Sequence, residues 1–178
     1  MEVILLMAST VDGKIAKNSD QFVDWSGKAD KKYFVELTHK AGVMIMGSKT
    51  YDTIGSVLPG RLNIVMSRDR SRQSDQDNLV FTDLSPARIL EDLSLKGYTS
   101  AALIGGATIN TLFAKANLIT QVHLTLVPRL FGSGLSIFAP PLHLDLSLSF
   151  ESSRDMGNGH ILLIYHVKQK TSGGTHEK

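Results

Sequence analysis

The sequence predicts an α/β protein with a central, mostly parallel sheet of about eight strands, helices on both faces and a C-terminal antiparallel hairpin. Three observations carry that prediction. Short apolar runs alternate with helical patterns, as strands joined by crossover helices do. One of those helices is bounded at both ends by its own signals, Ser85 as N-cap, Pro86 at the first position and Gly97 past the end. The last two apolar runs flank only "DMGNG", which is too short for a crossover and reads as a hairpin.

Taken in order, the opening "MEVILLMAS" gives a buried strand over Val3–Ser9. Its acid at position 2 and its short apolar run, closed by Thr10, Asp12 and Lys14, do not make a signal peptide. In "VDWSGKADKKYF" the spacing predicts a helix over Lys28–His39 behind Ser26. That helix places Asp30, Phe34, Leu37 and Ala41 on one stripe, apolar except for its first member. Strands are expected at Val43–Gly47, Leu62–Ser67, Leu79–Thr82, Ala101–Ile104 and Gln121–Val127. Further helices are expected at a short turn near Thr50–Ile54, at Pro86–Lys96 and at Thr108–Lys115. The hairpin is placed at Leu144–Ser152 and His160–Lys168. Residues 1–170 read as one domain, and the polar "TSGGTHEK" (171–178) as a disordered tail.

Composition narrows the function. The chain has 178 residues, 42% hydrophobic and 20% charged, in the range of a soluble globular domain with a real core. It contains no cysteine, which excludes disulfides, cysteine-based zinc sites and thiol nucleophiles. A formal net charge of +2, with dispersed basic residues, argues against nucleic acid. No run approaches the roughly 20 apolar residues of a membrane span, and a cytoplasmic location is expected. The histidines show no metal-ligand spacing, so no metal is expected. A small-molecule ligand is expected, bound by a monomer or a homodimer.

Three predicted strand ends carry residues suited to phosphate: Gly47, Ser48, Lys49 and Thr50 in "MGSKTYDTIG", Ser67 and Arg68 in "IVMSRDR", and the glycine pair of "LIGGATIN". Glycines let a backbone approach an anion, and a helix N-terminus offers free amides. In open parallel sheets, ligands bind beyond the carboxyl ends of the strands. Each stretch alone also fits an ordinary turn; together they suggest a dinucleotide. Asp30 admits two readings as well, a first-turn acid facing the helix dipole or a carboxylate held at a pocket wall.

Five stretches in this order resemble the dihydrofolate reductase superfamily up to about residue 168: "STVDGKIA", "DWSGKADKKYF", "MGSKTYDTIGSVLPGRLNIVMSR", "LIGGATIN" and "VHLTLV". The resemblance implies a dihydrofolate reductase-like fold and an NADPH-dependent reductase, acting on 7,8-dihydrofolate. By that likeness Asp30, five residues after Trp25, grips the amidine-like edge of a pterin, with Thr125 supporting the carboxylate. Phe34 lines the ring's face, Arg61 binds the carboxylate of the folate tail, and Ala8, Ile54 and Ile104 complete the substrate site. Gly47, Ser48, Lys49 and Thr50, with Ser67 and Arg68, are implied to hold the adenosine and its 2′-phosphate. Gly105, Gly106, Ala107, Thr108 and Ile109 are implied to hold the pyrophosphate and nicotinamide side, with Ala8 and Ile15 flanking the nicotinamide. The resemblance also implies a cis peptide between Gly105 and Gly106.

The chain departs from the folate enzymes in three places. Asn110 stands where they usually have tyrosine, the loop "KNSDQFVD" before Trp25 is slightly longer, and "VPRLFGSGLSIF" is more similar to the reductase of riboflavin synthesis. That 5-amino-6-(5-phosphoribosylamino)uracil reductase is therefore the alternative reading. A non-catalytic nucleotide-binding protein is a remote third, since such a relic is not expected to keep Asp30 and the glycines.

Overall fold

The computed structural model of the chain describes residues 1–18, 24–141 and 145–168. The elements run β1 (Glu2–Thr10), β2 (Lys14–Ala16), α1 (Gly27–Ala41), β3 (Val43–Gly47), α2 (Ser48–Ile54), β4 (Leu62–Met66), β5 (Leu79–Thr82) and α3 (Pro86–Leu95). They continue with β6 (Ser100–Leu103), α4 (Ala107–Lys115), β7 (Gln121–Val127), β8 (Leu135–Ser136), β9 (Leu148–Gly157) and β10 (His160–Val167). Eight strands form one sheet in the order β5-β4-β3-β6-β1-β7-β10-β9. The first six strands in that order are parallel, joined by five pairings, while β10 pairs antiparallel with both β7 and β9. The α/β architecture, the helices on both faces and the C-terminal hairpin are those the sequence predicts.

Successive side chains of a strand point to opposite faces, and both faces of the sheet are covered. On one face Val3, Leu5, Val43, Ile45 and Leu103 pack under Ile89 and Leu93 of α3 and Phe113 of α4. On the other, Ile4, Leu6, Met44, Met46 and Ala102 pack under Tyr33 and Leu37 of α1, flanked by Tyr51 and Ile54 of α2. Being buried on both sides explains why β3 reads as an unbroken apolar run. Ser85 caps α3, its hydroxyl accepting from the Arg88 amide, whereas Ser26 occupies the N-cap position of α1 without a side-chain bond.

Two local expectations are corrected, and one short ribbon was not foreseen. Helix α2 begins at Ser48, directly after the extended Gly47, so no loop separates strand from helix. Strand β9 starts at Leu148 and continues through "SSRDMG" to Gly157, not over 144–152. It is an edge strand, exposed along almost its whole length, so pairing with β10 sets it and no hydrophobic alternation marks it. The two-stranded ribbon of β2 and β8 is too short to leave a pattern. The expected tail at 171–178, Leu144 and most of the loop before Trp25 lie outside the described residues. Among the described residues no helix is long and apolar enough to cross a membrane.

Candidate active site

Strands β1, β3, β4, β6 and β7 run the same way, so their carboxyl ends open on one edge of the sheet. At that edge Gly47 is in register with Met66, and its amide donates to the Gly105 carbonyl at 2.8 Å. Gly47, the residues after Met66 and the glycine pair are thereby brought together. A Cβ at Gly47 would stand 2.9 Å from Ile109 Cγ1, and one at Gly106 would stand 3.4 Å from Thr50 Oγ1. The Gly105–Gly106 peptide is cis, as the resemblance implies. Gly106 is the N-cap of α4 and places no side chain over the helix end, where Ala107 is half-buried and Thr108 exposed.

The cations beside this edge differ in their occupation. Arg72 is bound to Asp52 at 2.7 Å and Arg70 to Asp83 at 2.8 Å. Lys49 and Arg68, both exposed, form no ion pair among the described residues. Ser67 Oγ accepts from the Asp69 amide, which turns the chain just after β4, and Ser48 sits at the head of α2. Two positive side chains and the amino end of α4 therefore remain available to an anion.

The residues expected on the substrate side lie on and around α1. Asp30 lies in its first turn, half-buried, with Phe34 half-buried and Leu37 and Ala41 buried further along the same stripe. Ala8 is in register with Thr125 on neighbouring strands, Ile104 directly follows β6 and is buried, and Ile15 is buried on β2. Among the described residues Thr125 Oγ1, Trp25 Nε1 and Arg61 Nε, each buried, have no hydrogen-bond partner. The Thr125 hydroxyl makes no bond to Asp30. A buried polar atom left unpaired costs about 1–3 kcal/mol, and here three of them belong to residues singled out for the substrate.

Arg61 is not grouped with the strand ends. It stands at the amino end of β4, after Gly60, against which the His39 ring of the last turn of α1 packs. Nine residues of helix separate Asp30 from His39, roughly 13 Å at 1.5 Å per residue. The carboxylate and the guanidinium thus mark opposite ends of α1. Arg61 is only 7% exposed, and burial lowers its guanidinium pKa from the ordinary arginine value. Ile54, at the end of α2, packs on the same face of the sheet as α1.

Three residues with no assigned role at the level of sequence hold the site's frame. The Asp12 carboxylate accepts from Thr10 Oγ1 at 2.5 Å and from the Phe131 and Gly132 amides at 3.2 and 2.8 Å. The Thr10 hydroxyl, ahead of the two amides, draws its pKa below the usual 3.8. The same clamp sets Phe131 edge-on against Trp25, ring centroids 5.2 Å apart. Asn110, fully buried, donates to the Ile137 carbonyl at 2.8 Å, and Thr111 on the next position holds the Ala139 amide. The signals for these contacts were a lone acid, a glycine pair and one departure from a motif; none names its partner, 119 and 120 residues away for Asp12 and 27 and 28 away for Asn110 and Thr111.

With this geometry in place, comparison with known proteins is specific. The family profile described as dihydrofolate reductase matches residues 2–148. A Caenorhabditis elegans protein named as a candidate dihydrofolate reductase is 32% identical over 168 residues, covering 88% of this chain and 84% of its own. Dihydrofolate reductase type 8 of Escherichia coli is 30% identical over 177 residues, covering 96% and 99%. Among solved structures, a protein assigned to riboflavin biosynthesis from Shewanella sp. PV-4 superposes with a TM-score of 0.82 at 26% identity, covering 95% of this chain and 100% of its own. The fold, the ordered motifs and these matches agree: the chain belongs to the dihydrofolate reductase family.

Proposed function

We propose that the protein is an NADPH-dependent oxidoreductase that reduces 7,8-dihydrofolate to 5,6,7,8-tetrahydrofolate. The observation that carries this reading is the placement of Asp30 at the head of α1 and of a buried Arg61, its Nε without a hydrogen-bond partner among the described residues, beside the last turn. A planar amidine-like head suits a carboxylate, which can accept two parallel hydrogen bonds from it. A carboxylate tail suits the guanidinium, whose planar fork meets it better than a lysine could. A substrate with both ends, spaced along one helix, fits a folate.

The residues at the sheet edge fit the cofactor on the evidence of a glycine cradle: Gly47 lets α4 come close to β3, a Cβ there standing 2.9 Å from Ile109 Cγ1, and Gly105 and Gly106 put only backbone at the head of α4. Gly105, Gly106, Ala107, Thr108 and Ile109 would hold the pyrophosphate and nicotinamide side, and Ala8 and Ile15 would flank the ring. Gly47, Ser48, Thr50 and Ser67 would hold the adenosine, with Lys49 and Arg68 on the 2′-phosphate. When bound, the reduced nicotinamide supplies a hydride to an imine carbon of the substrate. Asp30 orients the pterin and raises the proton affinity of the neighbouring ring nitrogen, while Trp25, Phe34 and Phe131 keep water from that end of the pocket. Thr125 and Trp25 supply the polar atoms that complete the pterin site.

The test is Asp30→Asn, which keeps the size of the side chain and removes its charge. Dihydrofolate reduction should fall by about 10²–10⁴-fold, the usual worth of a proton-managing group, with NADPH affinity unchanged. Near-normal turnover at neutral pH would remove Asp30 from the mechanism. The second reading, the pyrimidine reductase of riboflavin synthesis, draws on the full-length likeness to the Shewanella protein and on the loop around Phe131.

A further inference from the structure

The free cations beside the sheet edge, Lys49 and Arg68, sit on two segments that a third cation ties together. Arg72 meets Asp52 with both ends of its fork, Nη1 donating to Oδ1 at 2.7 Å and Nη2 to Oδ2 at 2.8 Å. Asp52 lies on α2 three residues after Lys49, on the same side of the helix. Arg72 ends the turn that begins at Ser67 and includes Arg68, its amide donating to the Asp69 carbonyl. Inside that turn the Asp69 amide donates to Ser67 Oγ, and the Ser71 amide and hydroxyl both donate to Asp69 Oδ1. Asp69 Oδ2 lies 3.9 Å from Arg72 Nε, so two carboxylates hold one guanidinium. The guanidinium carbon is 5.9 Å from the centre of the Phe81 ring on β5, which Tyr51 of α2 meets edge-on at 5.5 Å. Arg72 is thus held by α2, by its own turn and by β5.

We propose that the Asp52–Arg72 pair positions the residues that bind the cofactor's 2′-phosphate: it locks the turn carrying Arg68 against the helix carrying Lys49, and so sets the preference for a phosphorylated ribose. The inference rests on the cofactor reading above, in which Lys49 and Arg68 meet that phosphate. Both are long, exposed side chains on separate segments. Fixing one segment against the other reduces the freedom lost when both close on a single anion. The Asp52 carboxylate itself repels a phosphate, so its value to the site lies in the cross-link and not in its charge. A surface ion pair adds little to stability, and with side chains 29% and 50% exposed, Arg72 and Asp52 can be changed without opening the core.

The experiment measures dissociation constants of NADPH and NADH for the wild-type protein, Asp52→Asn and Asp52→Glu by quenching of protein fluorescence, without substrate. Asp52→Asn removes a negative charge near the phosphate-binding cations and releases Arg72 from its closest partner, so charge alone predicts tighter NADPH binding. Positioning predicts the opposite sign. NADPH affinity should fall about tenfold, the scale of one lost charge-assisted hydrogen bond, with NADH affinity and melting temperature unchanged. Asp52→Glu keeps a carboxylate for the fork and should retain most of the wild-type ratio. Unchanged or raised NADPH affinity in Asp52→Asn would overturn the inference. So would an equal loss of both cofactors, or a loss in Asp52→Glu as large as in Asp52→Asn. Equal affinity of the wild type for NADPH and NADH would overturn the placement of Lys49 and Arg68 on a 2′-phosphate, and with it this inference. That result is distinct from a wild-type preference that survives in Asp52→Asn, which overturns the positioning role alone.

Discussion

In the function proposed above, Arg61 is a residue prepared for a ligand carboxylate. Its guanidinium is almost fully withdrawn from solvent, it has no ion pair among the described residues, and burial lowers its pKa. A buried cation without an anion is unfavourable, so an arriving carboxylate gains more there than at the surface. Arg61→Lys should therefore raise KM for dihydrofolate by about tenfold or more with little change in kcat, because the tail contact is equal in ground and transition states. A proportional fall in kcat would place Arg61 nearer the chemistry than the fold suggests. Residues of this kind were only partly legible in the sequence. Asp30 stood out because helical spacing put one acid at the head of an apolar stripe. The burial of Arg61 and the orphaned hydroxyl of Thr125 depend on tertiary packing, which local periodicity does not encode. The Asp12 clamp on Phe131 and Gly132 spans 119 and 120 residues, and nothing in either segment names the other.

At the scale of elements, the helices are held to the sheet by contacts that can be tested one at a time. Gly47 lets α4 approach β3, since a Cβ there would meet Ile109 Cγ1 at 2.9 Å. Gly47→Ala should cost on the order of 1–3 kcal/mol of stability through overpacking and weaken NADPH binding as α4 is pushed away. A thermal shift of the variant with intact cofactor affinity would detach the glycine from the cradle. On the other face, Tyr33 of α1 is joined to His123 of β7 at 2.7 Å, and His123 Nε2 meets Gln121 Oε1 at 3.0 Å. Desolvation holds the His123 imidazole pKa below its ordinary 6.5. The unfolded chain takes up that proton near pH 6.5 and the folded chain only at lower pH. Stability from this group is thus complete above pH 6.5 and is lost as pH falls from there toward the folded value. Denaturant titrations should show His123→Gln losing less stability than the wild type on acidification below pH 6.5; parallel curves would contradict the assignment. Most elements could be read from alternation and end signals, β3 and α3 best of all. Strand β9 could not, because an exposed edge strand has no buried face to impose a pattern.

For the whole molecule, the sheet supplies one edge with two functions. The parallel strands bring Gly47, Ser67 and Gly105 together from three separate stretches of chain, while α1 has Asp30 in its first turn and ends beside the segment of Gly60 and Arg61. Lys49 and Arg68 beside that edge predict a cofactor preference: with both changed to alanine, NADPH affinity should fall far more than NADH affinity. Equal losses would mean that the 2′-phosphate lies elsewhere. The architecture itself is common to reductases with different substrates, so the identity of the substrate rests on the α1 residues and not on the sheet. The most direct test of the central claim is the initial rate of NADPH oxidation by the purified wild-type protein, measured in parallel with 7,8-dihydrofolate and with 5-amino-6-(5-phosphoribosylamino)uracil. Rapid oxidation with dihydrofolate and none above background with the pyrimidine is the predicted result. Oxidation with the pyrimidine alone would contradict it and give Asp30 and Arg61 a different substrate.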